Sequence, residues 1–383
     1  MGKTRYIQEA KRERKRPTGK YKALGLMSGT SLDGVDAAII ETDGERVLGF
    51  GATHFRPYTD DEKNILAMAT QAALKWSFKG PPPNIFSRAE TVIHQAHIEA
   101  AQALMTPDID LIGFHGQTIL HRPPQNGQNG QTLQLGDGQV LADALGVDVV
   151  YDFRTNDMQA GGQGAPLAPV YHKALLGKSP ARGAVLNIGG VSNITILDTG
   201  GELLATDCGP GNGPLDSWVQ SCGLGDYDKH GELARAGVPD FALIDKWLGA
   251  EFFNKPVPKS ADRWDFGVLA DLKNHTPADG AATLVAFTAM AIANTLAQYS
   301  CNIKTVIVCG GGRKNPIIMA ALREQHMGKI ISAEQALWRG DDLEAEAFAY
   351  LAVRSVRGLP LSYPGTTGVQ EPVSGGKLCS NCL

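Results

Sequence analysis

Three glycine-rich stretches set acids, hydroxyls and backbone N–H groups at spacings suited to a phosphorylated ligand. The first runs Ser28-Gly29-Thr30-Ser31-Leu32-Asp33-Gly34-Val35-Asp36. Its two glycines let the backbone approach an anion, with N–H groups pointing into the bend. Thr30 and Ser31 add hydroxyl donors, and Asp33 suits a Mg²⁺ ion held through water. Gly29 to Asp36 are therefore the candidate nucleotide-phosphate positions. An ordinary hairpin turn has special residues at only about two positions, far fewer than this stretch carries. The Gly-Lys-Ser/Thr ending of a Walker loop is absent.

The second stretch is Asp207-Cys208-Gly209-Pro210-Gly211-Asn212. An acid ends a predicted strand, and Gly-Pro-Gly opens a helix at Pro214, where proline fits the first turn. Backbone donors of Gly209, Gly211 and Asn212 at that helix start can receive phosphate. Asp207 would then accept the proton of a nucleophile as phosphoryl transfer proceeds; the other reading is a simple helix N-cap. The third stretch, Gly310-Gly311-Gly312-Arg313-Lys314-Asn315, lets a flat adenosine lie on bare backbone while Asn315 caps the next helix. His115, Gly116, Gln117 and Thr118, at the end of another predicted strand, suit sugar hydroxyls. His115 and His121 lack the i, i+4 spacing of a helical zinc pair. Arg154 suits a substrate carboxylate. The run from Ala160 to Pro166 is either a hinge or a tight crossover.

The elements that must carry these loops repeat. Residues 22–27 read as a buried strand, 35–42 as a second and 46–55 as a third, with Asp43-Gly44 as a hairpin turn. Helices over 60–77 and 87–105 follow, separated by Gly80-Pro81-Pro82-Pro83. A strand at 109–114, a helix near 138–145 and a strand at 147–152 complete the half. The second half has strands at 183–189, 191–198 and 202–207, helices at 214–221, 240–248 and 279–299, and a strand at 304–309. This is an internal duplication with its copies about 160 residues apart, not a short solenoid repeat.

Bulk properties agree with a globular protein of two domains. The chain has 383 residues, 43% hydrophobic and 20% charged, with 45 glycines. Net charge is −4, but residues 1–20 carry eight Lys or Arg against Glu9 and Glu13, which leaves an acidic body. Neither a nucleic-acid partner nor a membrane partner is expected, and the basic arm reads as a solvated extension. Cys208, Cys222, Cys301 and Cys309 read as free thiols of a reducing cytoplasm. Cys379 and Cys382 have no second pair at zinc spacing, so no structural metal is expected.

Taken in order, GLMSGTSLDGVDAA (25–38), FHGQT (114–118), DFRTNDMQAGGQGAPLAP (152–169), LNIGGVSNIT (186–195), DCGPGN (207–212), CGGGRKNP (309–316) and EAEAFAYLA (344–352) resemble the anhydro-N-acetylmuramic acid kinase family. The resemblance covers about 21–377. It implies an α/β, duplicated actin/hexokinase-like (ribonuclease H-like) fold of two lobes with a central cleft. Its lobes would be 21–155 and 156–355, followed by a C-terminal segment at 356–383. It implies an enzyme that uses ATP and Mg²⁺, opens the 1,6-anhydro ring of its amino-sugar and phosphorylates O6. By matching motif, Asp207 is the base that deprotonates a water attacking C1. Glu344 is an acid near that water, and Ser28, His115 to Thr118 and Arg154 contact the sugar. The family's role is peptidoglycan recycling in the bacterial cytoplasm, usually as a homodimer. From spacing alone an ordinary sugar kinase, or a nucleotide-gated sugar-binding protein on the same fold, stays open.

Overall fold

The structure, a computed structural model, describes residues 19–124, 130–177, 183–198, 200–261, 266–299, 303–325 and 328–381. Most of the basic arm, Cys301 and Cys382 lie outside the described residues. The strands are β1 (Tyr21–Ser28), β2 (Gly34–Thr42), β3 (Val47–Pro57), β4 (Leu111–Arg122), β5 (Gln131–Leu135), β6 (Val149–Tyr151), β7 (Gly183–Ile188), β8 (Val191–Leu197), β9 (Leu203–Pro210), β10 (Thr305–Cys309), β11 (Lys329–Ser332) and β12 (Lys377–Cys379). The helices used below are α1 (Asp60–Trp76), α2 (Ile85–Gln102), α3 (Gly138–Leu145), α4 (Gly213–Ser221), α5 (Pro277–Gln298), α6 (Pro316–Gln325) and α7 (Leu343–Val356).

The chain divides into two compact units. The first holds the chain up to Gly164, Glu344–Leu361 and the chain from Pro372; the second holds Ala165–Leu343 and Ser362–Glu371. In the first, β12-β6-β4-β1-β2-β3 form one sheet, with β5 added to β4. In the second the order is β11-β10-β7-β8-β9. Five strands correspond, β6-β4-β1-β2-β3 with β11-β10-β7-β8-β9, while β5 and β12 are additions to the first sheet. β1 and β7 each pair antiparallel with the next strand and parallel with β4 and β10 respectively. The duplication read from the sequence is thus a repeated strand order, the ribonuclease H-like arrangement expected from the resemblance.

Both sheets start with continuous apolar runs because both of their faces are covered. On β1, Leu24 and Leu26 point to one face and pack with Leu66 of α1, Ile93 of α2 and Leu141 of α3. Gly25, between them, points to the other face, where a Cβ would lie 1.8 Å from the Ala345 carbonyl oxygen of α7. Its register partner Gly113 meets the Phe348 carbonyl oxygen at 2.1 Å in the same way. These paired glycines let α7 rest directly on the sheet. Residues 344–355, expected in the second lobe, and 356–361, expected in the C-terminal segment, therefore belong to the first unit, and the boundary expected near 155 falls at Gly164.

Local signals set the helix starts. Thr59 and Glu62 form a reciprocal capping box on α1, and Thr276 caps α5, which opens on Pro277. α5 is long and apolar enough to cross a membrane by length and composition alone, but 72% of its apolar stretch is buried inside the protein. It packs against Leu186, Ile188, Ile194 and Ile196.

Two strand ends differ from expectation. β4 continues to Arg122 because its second half pairs with β5, so His115 to Thr118 are strand residues and not a loop. Gly116 sits there at φ +72°, and a Cβ on it would be 2.6 Å from the Leu135 carbonyl oxygen. Likewise β9 runs to Pro210, which puts Asp207 inside a strand. Asn212, not Asp207, precedes α4, which removes the N-cap reading of Asp207.

Candidate active site

In the first unit the β1–β2 turn is braced from beneath. The Ser28 hydroxyl donates to Gln117 Oε1 at 2.5 Å and accepts from the Tyr58 hydroxyl at 2.9 Å. Burial pushes the Tyr58 phenol up to about 12. Gln117 is fully buried, and its Nε2 donates to the Gly29 carbonyl at 3.1 Å. Ser28 and Gln117, expected at the sugar, thus spend these groups on shaping the turn. Thr118 Oγ1 accepts from Gln134 at 3.1 Å.

The turn itself bends at Leu32, which has φ +56°. Asp33 Oδ1 accepts from the Ser31 hydroxyl at 2.8 Å and from the Gly34 N–H at 3.1 Å. Thr30, Ser31 and Asp33 are exposed and Gly29 is partly so. Gly34 is a packing glycine, since a Cβ there would sit 2.4 Å from the Arg56 carbonyl oxygen. Val35 is wholly buried in the core, so its side chain is not a ligand. Asp36 lies in β2 opposite Met27 and Phe55.

Arg154 donates to His115 Nε2 from Nη2 at 3.0 Å and to the Gly164 carbonyl from Nη1 at 2.8 Å. Burial, and then the neighbouring Arg154 cation, hold His115 well below the usual imidazole range, so the ring is neutral and accepts. Burial lowers Arg154 to about 10 against the pull of Glu344 and Asp157, so it keeps its charge. The Glu344 side chain has an accessible face, yet desolvation raises its carboxyl above the ordinary value, opposed by Arg154 and aided by Asp33. The first unit therefore brings Asp33, His115, Arg154 and Glu344 into one electrostatic neighbourhood.

In the second unit, Asp207 faces Asn193 across β8 and β9. Its Oδ2 accepts the Ala261 N–H at 2.8 Å. Burial pushes the carboxyl up to about 6, and the Ala261 bond works in the opposite direction. Such a group is deprotonated at neutral pH but still basic enough to take a proton.

The glycine loops of this unit converge on Ile188–Gly190 at the end of β7. The Asn212 N–H donates to the Gly189 carbonyl at 2.6 Å, and the Gly211 and Gly213 N–H groups donate to the Gly190 carbonyl at 3.1 Å. The Gly211 and Asn212 N–H groups, expected to receive phosphate, are thus satisfied within the protein. A Cβ would meet the Gly189 carbonyl oxygen at 2.2 Å from Gly211, Asn187 Oδ1 at 2.3 Å from Gly310 and Ile188 Cγ2 at 2.4 Å from Gly312. At Gly209, with φ +140°, the neighbours are Phe253 and Ala291. Gly311 is solvent-exposed, although a Cβ there would lie 3.3 Å from Asn212 Nδ2. Asn315 Oδ1 caps α6 by accepting from the Ile317 N–H at 3.0 Å and the Ile318 N–H at 3.3 Å.

Sequence reasoning missed several supports of these loops. Arg313 is buried and donates from Nη1 to the Gly310 carbonyl at 2.9 Å. Its Nε reaches Glu334 at 2.8 Å and its Nη2 reaches Asp341 at 3.1 Å. Tyr58 and Lys259 were also missed, and Gly189–Gly190, seen as part of LNIGGVSNIT, was given no role. The GG pair beside β7 was a usable signal; the other partners are too distant in sequence to be read. Among the described residues no three His, Cys, Asp or Glu side chains group as a metal site. Asp33, exposed and with Oδ1 occupied, instead suits a hydrated Mg²⁺ carried by nucleotide phosphates.

A family model described as anhydro-N-acetylmuramic acid kinase matches residues 21–381. Curated proteins of that name are similar over nearly the whole length. One from Mesorhizobium japonicum is 48% identical, covering 93% of this chain and 98% of the relative. One from Rhizobium rhizogenes is 49% identical, with 93% and 98% covered. Among solved structures, a ROK family glucokinase from Streptomyces griseus with glucose and AMPPNP has a TM-score of 0.40 and 12% identity, with 86% of this chain and 99% of that chain covered. An activator of 2-hydroxyisocaproyl-CoA dehydratase from Clostridium difficile with ADPNP has a TM-score of 0.43 and 14% identity, with 88% and 96% covered. By the family match and these full-length relatives, the chain belongs to the anhydro-N-acetylmuramic acid kinase family.

Proposed function

We propose that the protein is an ATP-dependent kinase of 1,6-anhydro-N-acetylmuramic acid that yields N-acetylmuramic acid 6-phosphate and ADP. Asp207 removes a proton from a water that attacks C1. The C1–O6 bond breaks, and O6 takes the γ-phosphoryl group as the β–γ bridging oxygen leaves with ADP. Atoms balance with one water and one ATP consumed per sugar.

The observation that carries this reading is the Asp207 carboxyl, raised to about 6 by burial and fixed through one oxygen. Burial makes it a better base than a solvated aspartate, while a value below neutral keeps it ionised. Glu344, also raised, is the second acid–base group of the proposal. Arg154, charged and braced by His115 and Gly164, suits the carboxylate of the lactyl group. The exposed groups of Thr30, Ser31 and Asp33 suit ATP phosphates, and Asp33 would hold Mg²⁺ through water. That ion would neutralise phosphate charge. Gly311, exposed and without a side chain, suits the nucleoside.

The same reading makes the protein a cytoplasmic homodimer in peptidoglycan recycling, which light scattering of the purified chain tests for the dimer. The chemistry is tested by turnover in ¹⁸O-water. Ring opening by water puts one ¹⁸O on the sugar at C1 and none on the phosphate. A phosphorylated sugar with no label and its anhydro bridge intact would instead identify an ordinary sugar kinase.

A further inference from the structure

β9 is the edge strand of the second sheet, and a short segment bonds to that edge at Thr206 and Asp207. The Lys259 carbonyl accepts the Asp207 N–H at 2.9 Å. The Lys259 N–H donates to Thr206 Oγ1 at 2.8 Å, and the Thr206 hydroxyl donates back to the Lys259 carbonyl at 3.2 Å. Two residues on, the Ala261 N–H holds Asp207 Oδ2. The strap is anchored from its other side by the Lys259 ammonium. Lys259 is only 6% exposed. Its Nζ donates to the Phe252 carbonyl at 3.1 Å and the Phe253 carbonyl at 3.4 Å, and lies 4.6 Å from the Phe252 ring centroid.

A buried ammonium is costly, and here it is satisfied by neutral carbonyls and aromatic faces. A methionine would fill the same space without an ammonium to desolvate, but it would leave the Phe252 and Phe253 carbonyls without this donor. What the ammonium adds is a fixed position for the strap, and therefore for the Ala261 N–H. A carboxylate that must take a proton from a small, mobile water needs its free oxygen aimed to within a fraction of an ångström.

We propose that Lys259 is a positioning residue for Asp207. Its buried ammonium pins the Lys259–Ala261 strap to β9, so that the Ala261 N–H fixes one carboxylate oxygen and aims the other at the attacking water. This rests on the reading of Asp207 as the base. The titratable groups beside Asp207 among the described residues are Cys208 on its own strand and Lys259 on the strap. Cys208 is held neutral by burial, well above the usual thiol range, so neither it nor a titrating neighbour supplies the aim.

The experiment compares Lys259→Met, Thr206→Val and Thr206→Ser with the parent enzyme in the coupled ADP assay across pH. Asp207→Asn is run beside them. Loosening the strap weakens the one bond that favours the charged carboxylate. Lys259→Met and Thr206→Val are therefore expected to lower kcat about tenfold or more and leave the KM for ATP unchanged. They should also move the acid limb of kcat upward by about one pH unit. Thr206→Ser, which keeps the hydroxyl, should restore the parent profile. Thr206→Val reads the same geometry if Lys259→Met does not fold. A lowered unfolding temperature with the parent acid limb and kcat in either variant would overturn the proposal and leave the strap a structural part. An active Asp207→Asn would overturn the base reading instead, so the two failures are distinguishable.

Discussion

Asp207→Asn separates catalysis from stability at one position, and the structure sets both signs. The carboxyl rises from an ordinary 3.8 to about 6 on folding, chiefly through burial. A raised acid binds its proton more tightly in the native state than in the unfolded chain. Stability is thus lost as pH climbs through this window, and the penalty is complete above about pH 6. A shift of about two units corresponds to about 3 kcal/mol. Asparagine is neutral, similar in size, and its amide oxygen still accepts the Ala261 N–H. The variant should therefore be more stable near neutral pH by up to about 3 kcal/mol, seen as a melting temperature a few degrees higher. The difference should shrink as pH falls and vanish below the unfolded value of 3.8, near pH 3. Turnover should fall about 100- to 10,000-fold, the usual worth of a general base, with nucleotide affinity kept. Calorimetry at two pH values and the ADP assay read the two halves. A variant no more stable than the parent at neutral pH would refute the burial argument, and substantial turnover would refute the role as base.

Other perturbations test the supports. Gly25→Val should cost about 3 kcal/mol or more, because its side chain would meet the backbone of α7; loss of soluble, cooperatively melting protein is the readout. Ser28→Ala leaves Gln117 Oε1 and the Tyr58 hydroxyl without that partner and should cost about 1–3 kcal/mol in denaturant unfolding. Arg313→Met releases the Gly310 carbonyl from its clamp and should raise the KM for ATP about tenfold without moving the KM for sugar. The acid limb of kcat in the parent should fall about tenfold per pH unit below the Asp207 value near 6.

The strands of both sheet centres were legible in the sequence because they are apolar runs cut by glycine turns. β1, β2, β7, β8 and β10 lie within about two residues of their expected ends. The helix Gly138–Leu145 matches, since Asp137 caps it and Gly146 ends it. β5 was invisible because QTLQL is polar and finds its place only by pairing with β4. α7 was placed in the wrong half because its seat depends on two glycines more than 200 residues upstream. The glycine loops show a deeper limit. A glycine that admits a ligand and one that admits another strand are the same letter. At Gly29 and Gly311 the nearest neighbour of an added Cβ is a polar side chain at 3.3–3.4 Å, whereas at Gly34, Gly211, Gly310 and Gly312 neighbouring chain lies within 2.2–2.4 Å. Asp207 was found as a carboxylate before a glycine loop, but its strap lies about 50 residues away and could not be read.

The most direct measurement is ADP release with ATP, Mg²⁺ and either the anhydro-sugar or a panel of plain hexoses, with the product weighed by mass spectrometry. The expected result is ADP with the anhydro-sugar and a product heavier by one phosphoryl group plus one water. ADP formed only with a plain hexose, or a product heavier by the phosphoryl group alone, would contradict it.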